Sequence, residues 1–191
     1  MFEHHVKAYL SASGEPFIDC TASHTMLDFH LTRMNIHIDV KEKCQKFSMN
    51  NWREATTRQE YLFIIDDLAV RKLLLHAPNS FSIIRDSSIS PAVYYVFSIV
   101  DFLCIPKKRC RRTISRSVTT LKGKWLVDLR DAAIFHTLDD AMTYILRYSS
   151  KHKSIFQTHL DCWGNYGSER IGKGGITRTE RYWHRDAKAH S

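Results

Sequence analysis

Two aspartates and a lysine are the residues of this chain best suited to chemistry. Asp28, Asp39 and Lys41 lie within MLDFHLTRMNIHIDVKEK, residues 26–43. Carboxylates set side by side repel each other unless a cation lies between them. Mg²⁺ is commonly held by one or two carboxylates, with water and substrate phosphate completing an oxygen shell. Water on such an ion is a stronger nucleophile, and the ion also offsets charge on phosphoryl oxygens. A neighbouring ammonium can orient that water or stabilise the transition state. Asp, Asp and Lys on one surface are thus a minimal set for hydrolysing a phosphodiester.

A β-hairpin is the element that would bring them together. Side chains alternate along a strand. In the first arm Leu27, Phe29 and Leu31 share a face, with Met26, Asp28 and His30 on the other. In the second arm Ile36, Ile38 and Val40 share a face, opposite His37, Asp39 and Lys41. A four-residue connection, Thr32-Arg33-Met34-Asn35, pairs Leu31 with Ile36, Phe29 with Ile38 and Leu27 with Val40. The same register sets His30 opposite His37 and Asp28 opposite Asp39. Directly paired residues have Cβ atoms about 4.5–5.5 Å apart, close enough for two carboxylates to share one ion.

The pattern Asp28-x10-Asp39-Val40-Lys41 resembles the PD-(D/E)xK nuclease superfamily, the restriction-endonuclease-like fold. The resemblance covers residues 1–45 by motif and the later strands by pattern. It implies a catalytic group of Asp28, Asp39 and Lys41. Mg²⁺, with Mn²⁺ as a substitute, would be held by Asp28, Asp39 and the Val40 carbonyl, with Lys41 beside the nucleophilic water. A helix carrying an acid often precedes the motif in that family. Glu3 is the matching residue here and Glu15 a weaker one. The chain departs from the pattern in having Met26-Leu27 rather than proline before Asp28, and in the shorter Asp39 where many members have Glu. Gln59 and Tyr61 stand too close together to match the Gln and Tyr that some members carry on the next helix.

Composition agrees with an anionic partner. Lys and Arg total 28 against 20 Asp and Glu, a net charge of +8 over 191 residues. Such a balance suits DNA, with RNA not distinguished, because phosphate contacts dominate affinity for nucleic acid. The run KKRCRR supplies Lys107, Lys108, Arg109, Arg111 and Arg112 as phosphate contacts on a solvated connection between strands. Arg116, Lys122 and Lys124 follow it. Five scattered cysteines lack C-x-x-C spacing, which argues against a disulfide framework or zinc knuckle and for a reducing cytoplasm. The N-terminus is too polar for a signal peptide, and no apolar run is long enough to span a bilayer. Cutting two strands needs two sites, so a homodimer or a partner within a larger DNA-processing complex is compatible with the resemblance. Two other readings use the same residues: a nucleic-acid-binding module that does not cut, and a structural or assembly protein whose polar hairpin face is simply solvated.

The remaining elements follow from periodicity. Phe2, Val6, Tyr9 and Leu10 predict an amphipathic helix over 2–13, stopped by Gly14. PFIDCTA reads as a first strand, DDLAVRKLLLH as helix, and YLFII as either. FSIIRD and KWLVDLRDA read as strands, and AVYYVFSIVDFLCIP as one long buried strand. TLDDAMTYILRYSSKHKS reads as a helix, capped by Thr137 with Asp140. The whole is an α/β domain over 1–162, a mixed central sheet flanked by helices. Residues 163–191 form a basic tail or arm, with five of the seven glycines in 164–175. Gly167-x4-Gly172-Lys173 there is a weak match to a phosphate loop, since residue 174 is Gly and offers no hydroxyl.

Overall fold

The computed structural model describes residues 2–115 and 118–162, with side chains described outside 112–121 and 153–162. The chain divides into two compact units, Met1–Leu146 and Arg147–Ser191. The described part of the second is the end of the last helix. The Gly-rich basic segment from 163 onward, with its phosphate-loop-like run, lies outside the described residues.

The elements are helix α1 (Phe2–Ser13), strands β1 (Phe17–Asp19), β2 (Phe29–Leu31), β3 (Ile36–Lys43) and β4 (Leu62–Asp66), helix α2 (Asp67–Leu75), strands β5 (Ser80–Asp86) and β6 (Val93–Ser98), helix α3 (Ile99–Cys104), strands β7 (Lys108–Ser115), β8 (Val118–Asp128) and β9 (Ala133–Phe135), and helix α4 (Leu138–Cys162). The fold is mixed α/β. A six-stranded sheet runs β1-β2-β3-β5-β6-β9, and a three-stranded sheet runs β4-β8-β7. β3 and β5 are parallel, whereas the other pairs of the larger sheet are antiparallel.

Helix α1 forms because Phe2, Val6 and Leu10 make one buried stripe. Gly14, at φ 71°, ends it in the left-handed conformation that glycine adopts without steric cost. Helix α2 buries Ala69, Val70 and Leu73 against a core that includes Leu27, Phe63, Ile65, Ile84 and Phe97. Thr137 caps α4, its hydroxyl accepting from the Asp140 N–H at 3.1 Å.

Three expectations are corrected. There are two sheets rather than one. β4 pairs with β8, setting Leu62 and Phe63 opposite Asp128 and Val127. Alternation marks strands but does not say which edge receives them. The long strand of AVYYVFSIVDFLCIP ends at Ser98. Its Oγ accepts from the Asp101 N–H at 3.0 Å and donates to Asp101 Oδ2 at 2.7 Å, starting α3. The signal was Ser98-x-x-Asp101, a cap hidden inside an apolar run. KKRCRR is not a solvated connection: Lys108–Arg112 belong to β7, whose Cys110 is buried beside Leu62 and Leu126.

Candidate metal site on the hairpin face

Three of the five expected hairpin pairs form, but β2 begins at Phe29, so Leu27–Val40 and Asp28–Asp39 are not strand pairs, and Leu27 packs instead in the cluster with Ala69, Val70 and Leu73 of α2. Phe29 pairs with Ile38, His30 with His37 and Leu31 with Ile36. Asn35, last of the four connecting residues, takes φ 53°, a conformation asparagine tolerates better than most residues. Ile36, Ile38 and Val40 are buried on one face. The other face is also covered: His37, Asp39 and Lys43 are buried, and Lys41 is half-buried. β3 lies between β2 and β5, and α2 packs against it.

Asp28 precedes the paired part of β2, and its Oδ2 accepts the Val40 N–H at 2.6 Å. The carboxylate therefore takes the place of a ladder acceptor at the point where β2 begins. In an extended strand a residue's N–H and C=O point to the same edge, so the Val40 carbonyl faces the Asp28 side. Lys41 Nζ stands among these oxygens, 2.7 Å from Asp39 Oδ1, 3.7 Å from Asp28 Oδ2 and 3.1 Å from the Val40 carbonyl oxygen to which it donates. Asp28, Asp39, Val40 and Lys41 are thus brought together.

Burial pushes the Asp39 pKa up, against the pull of the Lys41 ammonium. For Lys41, burial disfavours the charge, but the carboxylates of Asp39 and Asp28 outweigh it and raise its pKa. The ammonium is therefore retained at neutral pH. Asp39 Oδ2 is buried without a hydrogen-bond partner, and so is Ser82 Oγ, at the position of β5 directly paired with Asp39. Buried oxygens normally have partners, so the face has acceptor capacity to spare. The donors are hard oxygens from two carboxylates and one carbonyl, which fit Mg²⁺ or Mn²⁺. Among the described residues no cluster of three or more His, Cys, Asp or Glu suited to a metal occurs; the residues here that could hold an ion are these two acids and the carbonyl.

Glu3 lies on α1. Its charge reaches Lys41, but it lines a separate cavity with Lys7, Asp19 and Phe29. Glu15 is turned away to an ion pair with Arg33 at 3.4 Å.

A cavity of about 420 Å³ opens beside Asp28, Asp39 and Lys41. Lys72, Lys124, Asp66 and Trp52 also line it, and none of the four was among the candidate catalytic or metal residues. Lys72 comes from α2, where its Nζ donates to the Met26 carbonyl at 3.0 Å. Lys124 pairs with Asp66 across β8 and β4. Leu68, Lys72 and His76 recur at helical spacing, which could have marked one ridge of α2 but not the sheet face it meets.

Two residues of the basic run, Lys107 and Arg109, are engaged within the protein. Arg109 makes a two-pronged contact with Asp67, Nε to Oδ1 at 3.1 Å and Nη2 to Oδ2 at 3.0 Å, and its guanidinium lies over Trp125. That contact, first among several, holds the Asp67 pKa low. Lys107 donates to the carbonyls of Leu103 and Ile105 and sits over the Phe102 ring. Lys108 and Arg111 are exposed. The Arg112 side chain lies outside the described residues.

Beyond the acids, the same face carries a stack of imidazoles. His37 lies between His30 and His76, with ring centroids at 4.1 and 3.7 Å. Among the described residues no helix is long and apolar enough to cross a membrane. Comparison with models of protein families, with curated proteins and with solved structures finds no match to this chain.

Proposed function

We propose that this chain is a Mg²⁺-dependent endonuclease of the restriction-endonuclease-like, PD-(D/E)xK type, hydrolysing DNA phosphodiester bonds. The observation that carries the reading is the convergence of Asp28 Oδ2, Asp39 Oδ1 and the Val40 carbonyl on one cation, the Lys41 ammonium, within 3.7 Å. Asp28, Asp39 and the Val40 carbonyl would hold the metal. When bound, that ion supplies a Lewis acid and a water of lowered pKa. Lys41 orients the attacking water from its place beside Asp39. Its flexible stem and partial exposure let the ammonium turn toward the cavity. Asp28 locks the start of β2 onto β3 through the Val40 N–H and so fixes the spacing of the two acids. Lys108 and Arg111 are exposed for phosphate contacts. A cytoplasmic setting in restriction, repair, recombination or element mobility, and a homodimer or partner protein, are parts of the same proposal.

A second reading is favoured by one observation. The Lys41 ammonium already stands between both acids, as it would in a nucleic-acid-binding module that does not cut. Titration with Mn²⁺ and a plasmid-nicking assay separate the two. The nuclease reading expects saturable Mn²⁺ binding that Asp28→Ala and Asp39→Ala abolish, with cleavage lost in Lys41→Ala. DNA binding with wild type and Lys41→Ala equally inert in Mg²⁺ and Mn²⁺ would leave the binding module.

A further inference from the structure

We infer that the cavity beside Asp28 and Asp39 accepts an unpaired nucleotide of DNA, its base against Trp52 and its phosphate toward Lys72 and Lys124, so that single-stranded or locally opened DNA is the preferred substrate. This rests on the nuclease reading for the fate of the phosphate but not for the binding.

The residues lining the cavity differ in chemistry. Asp28, Asp39 and Lys41 are charged, whereas Trp52, Phe47 and Ile64 are apolar and pack against one common cluster. Lys72 and Lys124 also line it, with Asp66 beside Lys124, and Ile65, Leu68 and Ala69 add to its apolar part. Its volume of about 420 Å³ falls in the range of small-ligand sites, about 300–1,000 Å³. A phosphate alone would have no use for the aromatic side chains, and an apolar peptide or lipid would leave the charges unmatched. A nucleotide satisfies both. Its base has a π-face for an aromatic side chain, and its phosphate takes ammonium donors. Lys72 donates to the Met26 carbonyl and Lys124 to Asp66. An ammonium has three donors, so each lysine keeps capacity for a phosphate oxygen. Trp52 is half-buried, lines the cavity and packs against the cluster of Leu62, Cys110 and Leu126. A base paired and stacked inside a duplex cannot enter a side cavity unless it leaves the stack, whereas an unpaired base can.

Fluorescence anisotropy of a labelled single strand and of the matching duplex, in EDTA with the full chain, tests this without cleavage. Wild type should bind the single strand more tightly. Trp52→Leu should weaken that binding about ten-fold and leave duplex binding unchanged, while Trp52→Phe, which keeps a stacking face, should retain most of it. No single-strand binding by wild type, equal single-strand binding by wild type and Trp52→Leu, or equal losses on both DNAs would overturn the inference. Cleavage in Mg²⁺ is read separately. Trp52-dependent single-strand binding without cleavage of any DNA removes the nuclease reading and leaves this one. Mg²⁺-dependent cleavage without an effect of Trp52 on binding does the reverse.

Discussion

Replacing Lys41 by Met tests whether the two acids share one cation. Met keeps an unbranched apolar stem and removes the ammonium. At 2.7 Å from Asp39 Oδ1 and 3.7 Å from Asp28 Oδ2, with an effective dielectric of about 20, the two attractions are gross terms of about 6 and about 4.5 kcal/mol. Most of that is cancelled by desolvation and by solvent screening, since the Lys41 side chain is 37% exposed. A net loss of about 2–3 kcal/mol remains. For a compact unit of this size each kcal/mol lowers Tm by about 2–4 °C, so the metal-free variant should melt about 5–10 °C below wild type. Mn²⁺ would then replace the lost charge. At one hundred times its Kd a ligand adds about 2.7 kcal/mol, enough to restore the melting temperature. The variant should also bind Mn²⁺ at least as tightly as wild type, because no ammonium competes for the acids, yet fail to nick DNA. Thermal unfolding with and without Mn²⁺, alongside a direct metal titration, gives both numbers. A metal-free Lys41→Met that melts with wild type, and that Mn²⁺ does not stabilise, would refute the shared-cation argument.

Three further outcomes follow from the packing. Burial first, then the neighbouring His76 and His30, holds the His37 pKa down to about 4. The unfolded chain takes up that proton near pH 6.5, so stability should fall by about 1–3 kcal/mol as pH drops from about 6.5 toward 4; urea midpoints across that range should flatten in His37→Phe. Asp86 is the buried partner of Lys43 Nζ at 3.0 Å. Asp86→Ala leaves an unpaired buried ammonium and should cost about 3–5 kcal/mol, most of it recovered when Lys43→Met is added; no recovery in the double variant would place the cost elsewhere. A Cβ on Gly123 would lie 2.9 Å from Asp67 Cβ, so Gly123→Ala should cost about 1–3 kcal/mol through strain where β8 meets the start of α2. An unchanged denaturant midpoint would show that the two do not approach so closely.

How far the sequence reached depends on the range of the interaction. The hairpin was legible because alternation on both arms and an even connection leave one register that buries Phe29, Leu31, Ile36 and Ile38 together. Helix α1 was legible from its stripe and Gly14. The turn from β6 into α3 was not read, because apolar residues continue through Ser98 and its capping contact with Asp101 is a single local bond. The strand at Lys108–Arg112 was masked by its charges. It is held by pairing with β8, in which Cys110 opposes Lys124 and Arg109 opposes Trp125, and partner strands are not written in local composition. The cavity residues were the least legible. Trp52 comes from an irregular connection and Lys72 from a helix, and only packing brings either beside Asp39.

The polar face of β3 explains why the middle of that strand is the place to expect chemistry. His37, Asp39, Lys41 and Lys43 recur at period two, all on the side that α2 covers. The ends of the row are fixed. His37 is stacked between two imidazoles, and Lys43 is bound to Asp86 and to the Glu60 carbonyl. Between them Asp39 keeps a buried oxygen with no partner, and Lys41 keeps partial exposure to the cavity. A polar row kept for strand pairing alone would be satisfied along its length, since each buried unpaired group costs about 1–3 kcal/mol. Here the unsatisfied atom falls at the centre, on a strand held from both sides, next to the half-buried Lys41. Rigid support around an acid with spare acceptor capacity is what a site for a divalent ion and a phosphate requires.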